Sequence, residues 1–368
     1  MPNEFITVKE IARQTLPRLI ENLVFPNLIH KDYSEDFVSG KGATIQVKKP
    51  VQLTASDFDP SSGTSAQDVK EESVPVTLDK LATVDVEFSA IESATNVDDL
   101  NRLFLEPAAV ALAQKINSDG LELYKDIPYT CGTAGTTPSA LTDISAVRKV
   151  LNANKVPAQG RVAIWDTEAD ANFVTIPAIV NAEKSGSTSA LRDGSLGRVM
   201  GFDNYMSQSI KTHKKGTLSA DVKPKAAAKV GATTLTLTAT SVTGTLVKGD
   251  ILTILGSNYV VTEDATAASN EITVKIYPVL KKDISTSTAV TLMGDHTANL
   301  AFVPNAFAFV TRPLTAPSGV ESYVTSYNGV TLRVVRGYDM KYKKEMLSMD
   351  VLYGYKTMYP ELAAISLG

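Results

Sequence analysis

The chain has 368 residues, a net charge of −4, a single cysteine, and 43% hydrophobic and 21% charged residues. That balance excludes a disordered polymer and is enough chain for two or three domains. The slightly acidic charge lacks the basic excess of a nucleic-acid-binding surface, and Cys131 alone excludes an intrachain disulfide and is compatible with a reducing compartment.

The N-terminal MPNEFITVKEIARQTL carries Glu4 and no apolar core, so it is not read as a secretory signal. No run of about 18 apolar residues marks a membrane-spanning helix. The expected setting is a cytoplasm, or something assembled there. Residues 1 to 30 carry a helical stripe of Ile11, Leu16, Leu19, Ile20 and Leu23, opened by Thr7 and Glu10 at capping-box spacing. Pro17 is expected to kink or split this helix and Pro26 to end it.

Two runs between 40 and 92 read as strands, Gly40–Pro50 and Ser73–Glu92. In the second, Val74, Val76 and Leu78, then Val84, Val86 and Phe88, alternate with mostly polar residues. The polar segment ASDFDPSSGTSAQDVKEE between them makes a long hairpin tip. Such a hairpin cannot build its own core, so it should lie on another surface or another subunit.

Residues 97 to 126 hold the strongest helical pattern, with Leu105, Ala109, Leu112, Ala113, Ile116 and Leu123 on one stripe. Pro107 fits its first turn and Pro128 stops it. Gly120 weakens its middle by roughly 1 kcal/mol relative to alanine. From 142 to 215 helix and strand alternate. Thr142 is read as the cap of a helix over DISAVRKVLNANKVP, Arg161–Trp165 as a short buried strand, and a helix runs from about Thr167 to before Pro177. The Gly/Ser-rich loop SGSTSALRDGSLG leads into VMGFDNYMSQSI, two extended runs around a turn.

Residues 222 to 296 are Thr-rich and strand-patterned, with no helical period. Thr233–Thr238 and Glu271–Ile276 alternate strictly, Gly249–Thr262 reads as a hairpin turning at Gly256-Ser257, and AVTLM adds a strand. These features predict a small β-barrel or sandwich. The stretch Ala301–Leu314 then continues what Ala190–Ile210 began, as two halves of one domain around a guest. The tail from Val330 holds two or three long alternating strands ending near Pro360.

Little in the chain points to chemistry. His30, His213 and His296 are far apart in sequence, without paired cysteine or carboxylate spacing, so no zinc site is read. Gly194-Ser195-Leu196-Gly197 does not have the spacing of a nucleophile elbow. Gly40-Lys41-Gly42-Ala43-Thr44 lacks the upstream glycine of a phosphate loop and precedes a strand, so it reads as a turn. Asp166, Glu168 and Asp170 alternate like the start of a calcium loop, but Ala171 stands where that loop needs glycine and no glutamate closes it. Acidic residues at a helix N-terminus account for them. Lys211, Lys214 and Lys215, and Lys341, Lys343 and Lys344, read as solvated faces or subunit contacts, with a DNA-facing role the alternative. No catalytic residue, cofactor or metal ligand is expected.

Several segments, in order, carry a family resemblance. LEPAAVALAQKINSDGLELYKDI is similar to the spine helix, and LRDGSLGRVMGFDNYMSQSI to the axial-domain signature, of tailed-bacteriophage major capsid proteins with the Hong Kong-type fold. SMDVLYGYKTMYPELAAISL, with its aromatic-Gly and Pro-Glu, resembles their C-terminal strand. KGDILTI resembles part of the insertion domain of short-tailed enterobacterial phage coat proteins. The resemblance implies an α+β chain: N-terminal arm (1–35), extended loop with flanking strands (36–92), spine helix and first peripheral part (93–140), axial domain (141–221 and 297–328), inserted all-β barrel or sandwich (222–296), and peripheral C-terminal strands (329–368).

It also implies a function: hexamers and pentamers closing into an icosahedral shell around a scaffolding protein, a portal through which double-stranded DNA enters, and expansion on packaging. Contact with that DNA would be non-specific, no membrane is involved, and the location would be the virion, assembled in the host cytoplasm. The expected subunit contacts are Phe58, Asp59, Lys70, Glu71 and Glu72 on the hairpin, and Arg192 and Asp193 in the axial segment. Some capsid proteins cross-link a hairpin lysine to a neighbour's asparagine; Lys70 and Lys80 are available, but no residue-level match exists and no cross-link is expected. Long exposed strands, a liability in a monomer, serve as docking devices in a lattice.

An encapsulin-type shell around an enzyme cargo shares the fold and is the alternative, separated by what the particle encloses. An enzyme would need a buried, perturbed titratable pair in a pocket. A tail-tube protein would usually lack the spine helix.

Overall fold

The computed structural model describes residues 8–31, 44–48, 73–89, 106–181, 183, 186, 189–218, 221–340 and 344–368. The chain divides into two compact units, one from Met1–Leu16, Lys31–Leu105 and Ala308–Met358, the other from Pro17–His30, Glu106–Phe307 and Tyr359–Gly368. No helix among the described residues is long and apolar enough to cross a membrane.

The first unit is organised on the strand Lys344–Thr357. Phe307–Arg312, Lys344–Thr357, Val330–Asp339 and Glu321–Tyr327 lie in that order in one sheet, and Lys80–Ser89 also pairs with Lys344–Thr357. The register sets Val334, Met349 and Val84 opposite one another. Two residues along, Val351 stands opposite Ala82, and both are buried, as is Leu332. On the opposite face Arg333 donates to the Asp350 carboxylate from Nε at 3.0 Å. Period-2 alternation thus sorts apolar from charged side chains.

Thr44–Lys48 pairs antiparallel with Ser73–Thr77, Val47 opposite Val74 and Ile45 opposite Val76. The run read as one strand over Ser73–Glu92 is two. The first stops at Thr77; from Lys80 the chain enters the five-stranded sheet. Val76, Leu78 and Ala82 are all buried, so the alternation continues through the corner and does not reveal the change of partner. Glu321–Tyr327 is a strand that the sequence reading did not include.

Helix α1, Val8–Asn22, carries Pro17 in its interior and is not split by it. Ile11, Leu16, Leu19, Ile20 and Leu23 are all buried, so burial on both sides of the proline holds the helix together. Its end is set by Asn27, whose Nδ2 donates to the Ile20 and Leu23 carbonyls, and not by Pro26, which opens a 3₁₀ turn over Phe25–Leu28. Thr7, the expected cap, lies outside the described residues.

The second unit contains α2, Glu106–Leu121, whose buried face includes Ala109, Leu112, Ala113 and Ile116. Gly120 sits in its last turn, not its middle. The chain then tightens into a 3₁₀ turn, Glu122–Asp126, which turns Tyr124 inward in place of Leu123. Asn117 ties α2 to the segment after α1: its Oδ1 accepts from the Val24 and Phe25 amides at 3.1 and 3.2 Å, and its Nδ2 donates to the Asn22 carbonyl at 3.0 Å. Asn117→Leu leaves those two amides without their acceptor and is expected to cost about 2 kcal/mol, read as a lower urea midpoint at unchanged slope.

A mixed seven-stranded sheet has the order Thr130–Gly132, Ala363–Leu367, His296–Phe302, Arg161–Trp165, Phe202–Met206, Arg198–Val199, with Thr212–His213 also pairing to His296–Phe302. Helices α3, Leu141–Ala153, and α4, Thr167–Val174, cover one face through a cluster that includes Ile144, Val147, Leu151, Trp165 and Phe173. Elsewhere in the unit Phe302 packs edge-on against Phe25 and Phe307, which are tilted against each other, with centroids 5.2–5.6 Å apart. Every residue of Arg161–Trp165 is buried, as its unbroken apolar run Val162–Trp165 requires. The N-cap position of α3 is Ala140 and not Thr142, and the capping side chain is that of Asp143 at the third helical position, whose Oδ2 accepts from the Ser139 and Ala140 amides. Asp166 caps α4 by accepting from the Glu168 amide. A short helix, Ser189–Asp193, stands where a loop was expected.

Residues 222–292 form a six-stranded sheet that closes on itself. Its order is Val290–Leu292, Ile251–Ile254, Ser257–Val261, Glu271–Tyr277, Thr234–Thr238, Lys223–Pro224, and its two ends meet where the Val290 amide donates to the Val222 carbonyl at 3.2 Å. Leu235, Leu237, Ile272, Val274 and Ile276 fill the interior, and the alternating threonines face out. The hairpin turn lies at Leu255-Gly256, one residue earlier than expected, with φ of 49° and 73°. Two consecutive positive φ values match the twist of the flanking strands, which outweighs the discomfort of a leucine there. The tail is not one strand to Pro360: Pro360–Leu362 makes a 3₁₀ turn, and Ala363–Leu367 joins the seven-stranded sheet.

Candidate functional site

Of the residues expected at subunit contacts, Phe58, Asp59, Lys70, Glu71 and Glu72 lie outside the described residues. Arg192 and Asp193 are both exposed on the short helix Ser189–Asp193, beside Leu191, which is 70% exposed. Along the edge of the seven-stranded sheet, Met200, Tyr205 and Met206 are also exposed. In the first unit Lys80–Ser89 pairs, among the described residues, only with Lys344–Thr357, and Glu321–Tyr327 only with Val330–Asp339. Unpaired backbone along edges of this length is a template for another strand. Lys80 belongs to one edge; Lys70 is outside the described residues.

One basic cluster, Lys211, Lys214 and Lys215, lies wholly within the described residues, and the other only in part. Lys341 and Lys343 lie outside the described residues, and Lys344 donates to Glu87 at 2.6 Å. Lys214 pairs with Asp295 at 3.0 Å, and Lys211 approaches Glu122 at 4.0 Å.

The structure assembles one cluster that sequence spacing hid. The chain leaves for the barrel at Thr212–His213 and returns at His296, and those two strands pair with His213 directly opposite His296. The imidazole centroids are 5.1 Å apart. His213 Nε2 lies 2.9 Å from Asp250 Oδ1, and His213 Nδ1 lies 2.9 Å from the Tyr124 hydroxyl. Asp250 also accepts from the Gly216 amide and, at 2.8 Å, from the Val247 amide. All four side chains are buried. The cluster joins the 3₁₀ turn after α2, both chain crossings and the barrel hairpin. Asn258 Nδ2 on Thr130 Oγ1 at 2.7 Å and Tyr277 on Glu361 at 2.6 Å add further ties. The one available sequence signal was that two of the three histidines flank the Thr-rich segment.

Tyr, His and Asp in a row resemble an acid–base relay, but the electrostatics point the other way. Burial, then Glu122 and Asp250, push the Tyr124 phenol up to about 12. A nucleophile or base needs the opposite shift. Burial likewise raises the Cys131 thiol to about 12, so it stays protonated. A groove of about 740 Å³ between α2 and residues 206–211 is lined by Val110, Gln114, Ser118, Ser207 and Ile210; the titratable groups on its wall, Lys115 and Lys211, carry the same charge and face Asp119 and Glu122. Among the described residues no group of His, Cys, Asp or Glu is placed to hold a metal ion. Asp166, Glu168 and Asp170 act as the first turn of α4.

No family model matches the sequence and no curated protein does. Solved structures match its fold. One from Mycobacterium phage Che8 is 17% identical with a TM-score of 0.56, over 94% of this chain and 90% of that one. The capsid structure of the cyanophage P-SCSP1u is 11% identical with a TM-score of 0.53, over 94% and 88%. The chain therefore shares an α+β fold with a phage capsid structure over nearly its whole length.

Proposed function

We propose that this chain is the major capsid protein of a tailed bacteriophage, with the Hong Kong-type fold and an inserted β-barrel domain. The observation that carries the reading is the match to a phage capsid structure over 94% of the chain. At such low identity the likeness speaks for the fold, and the step to function rests on three further features. Among the described residues, long strand edges have no partner strand and could pair with a neighbour. Exposed apolar side chains such as Leu191 and Tyr205 sit on one unit. The barrel leaves and rejoins the body at one place, as an insertion does.

In this reading copies form hexamers and pentamers, a scaffolding protein guides closure, DNA enters through a portal, and the shell expands. Hairpin residues Phe58, Asp59, Lys70, Glu71 and Glu72 reach a neighbouring subunit, and Arg192 and Asp193 meet their counterparts within a ring. Many weak contacts add through multivalency.

Sedimentation tests the reading. Most of the chain should run as particles of uniform size, with nuclease-protected DNA when the phage packaging machinery is present. Particles that enclose an enzyme and no DNA would favour the encapsulin alternative, and a slow-sedimenting monomer would refute shell formation. Arg192→Glu should leave unfolding unchanged within about 0.5 kcal/mol, because the site is exposed, while particle yield falls severalfold in the same gradients.

A further inference from the structure

We infer that the buried histidine pair makes the barrel's attachment to its unit sensitive to acid, so that the joint loosens below neutral pH while the barrel stays folded. The inference does not depend on what the chain assembles into.

With both imidazoles neutral, the geometry assigns the protons. Asp250 takes two backbone amides as an acceptor, so His213 Nε2–H donates to it and His213 Nδ1 accepts from the Tyr124 hydroxyl. His213 is saturated. His296 donates from Nδ1 to the Gly294 carbonyl at 2.9 Å, and its Nε2 is buried without a partner. A bare imidazole lone pair is tolerable there. A proton on it would create a buried N–H with no acceptor and a positive charge beside His213.

Among the described residues, the nearby carboxylates are engaged. From its own turn, Asp295 is held by Lys214 Nζ and the Lys215 amide, each at 3.0 Å. From the 3₁₀ turn, Tyr124 is engaged by His213, while Glu122 lies near Lys125 and Lys211. From the barrel, Asp250 is fully used and Lys248 pairs with Asp126 at 2.8 Å. Burial is the largest effect on His296 and holds it below its ordinary 6.5; the Gly294 bond opposes this, His213 adds to it, and Asp250 and Asp295 oppose it. A base depressed in the fold contributes stability that is present above 6.5 and is lost as pH falls below it. The loss falls on the joint because His213 and His296 are the two crossings, while the barrel's own buried cluster holds no group that titrates between about pH 5 and 8.

Hydrogen exchange of the full chain, corrected for intrinsic pH effects, tests this. Between pH 7.5 and 5.5, amides of residues 213–217, 247–250 and 296–298 should lose protection severalfold, up to the roughly tenfold ceiling for one such group, while Thr234–Thr238 and Glu271–Tyr277 keep theirs. His296→Phe should abolish that dependence; if it fails to fold, His296→Gln, neutral and polar, answers the same question. Protection unchanged in the wild type, or the same acid loss in a folded His296 variant, overturns the inference.

Discussion

Replacing Asp250 with alanine is expected to destabilise the unit that holds the barrel by about 3–5 kcal/mol, the range for removing one partner of a buried charged network. The carboxylate has no solvent to fall back on, since Asp250 is 1% exposed. It accepts from His213 Nε2 at 2.9 Å, from the Gly216 amide at 3.2 and 3.1 Å, and from the Val247 amide at 2.8 Å. Alanine strands all three donors in a dry site and leaves a void where two oxygens stood. Asp250→Asn should be milder, because one acceptor oxygen remains. Hydrogen exchange should localise the effect: Gly216, Val247 and Gly249 amides open first, while Thr234–Thr238 stays protected by the barrel's own core. Uniform loss across the barrel would mean that Asp250 supports the barrel itself and not its attachment.

Gly354→Ala is the second large effect, and it is steric. A Cβ at Gly354 would stand 2.0 Å from the Thr77 carbonyl oxygen, 2.9 Å from its carbon and 3.3 Å from the Leu78 Cα. All three are backbone atoms, so no side chain can swing away. The change must push the end of Ser73–Thr77 off Lys344–Thr357, at a cost of about 3 kcal/mol or more. Gly337→Ala in the same sheet is the control, because its Cβ would meet only Val320 Cγ1 at 4.0 Å. That variant should unfold within about 0.5 kcal/mol of the wild type. Under the proposed function Gly354→Ala should also lower particle yield, since it displaces Ser73–Thr77, which precedes the corner at Leu78. Equal stability of the two variants would place the corner elsewhere.

The sequence was most readable where one local rule decides the outcome. Arg161–Trp165, Thr234–Thr238 and Glu271–Tyr277 follow from period-2 or unbroken apolar patterns, and the stripe of α1 from its spacing. The Tyr353-Gly354 pair stood out as a motif, but its reason, the passage of Thr77 across the strand, needs a partner about 280 residues away. Local capping chemistry chose Asp143 over Thr142 by one residue, and turn twist chose Leu255-Gly256 over Gly256-Ser257 in the same way. Pro17 was over-weighted, because propensity ignores burial on either side. The joint of Tyr124, His213, Asp250 and His296 left no local trace, since its members come from four separated segments whose meeting is a property of the sheet. The hairpin contacts Phe58 to Glu72 remain part of the proposal.

Electron microscopy of the particle fraction, after expressing the chain with and without its neighbouring reading frame, tests self-assembly most directly. The proposed function predicts closed icosahedral shells of uniform diameter, whose size would fix the lattice. A stable soluble monomer or dimer under both conditions would contradict it.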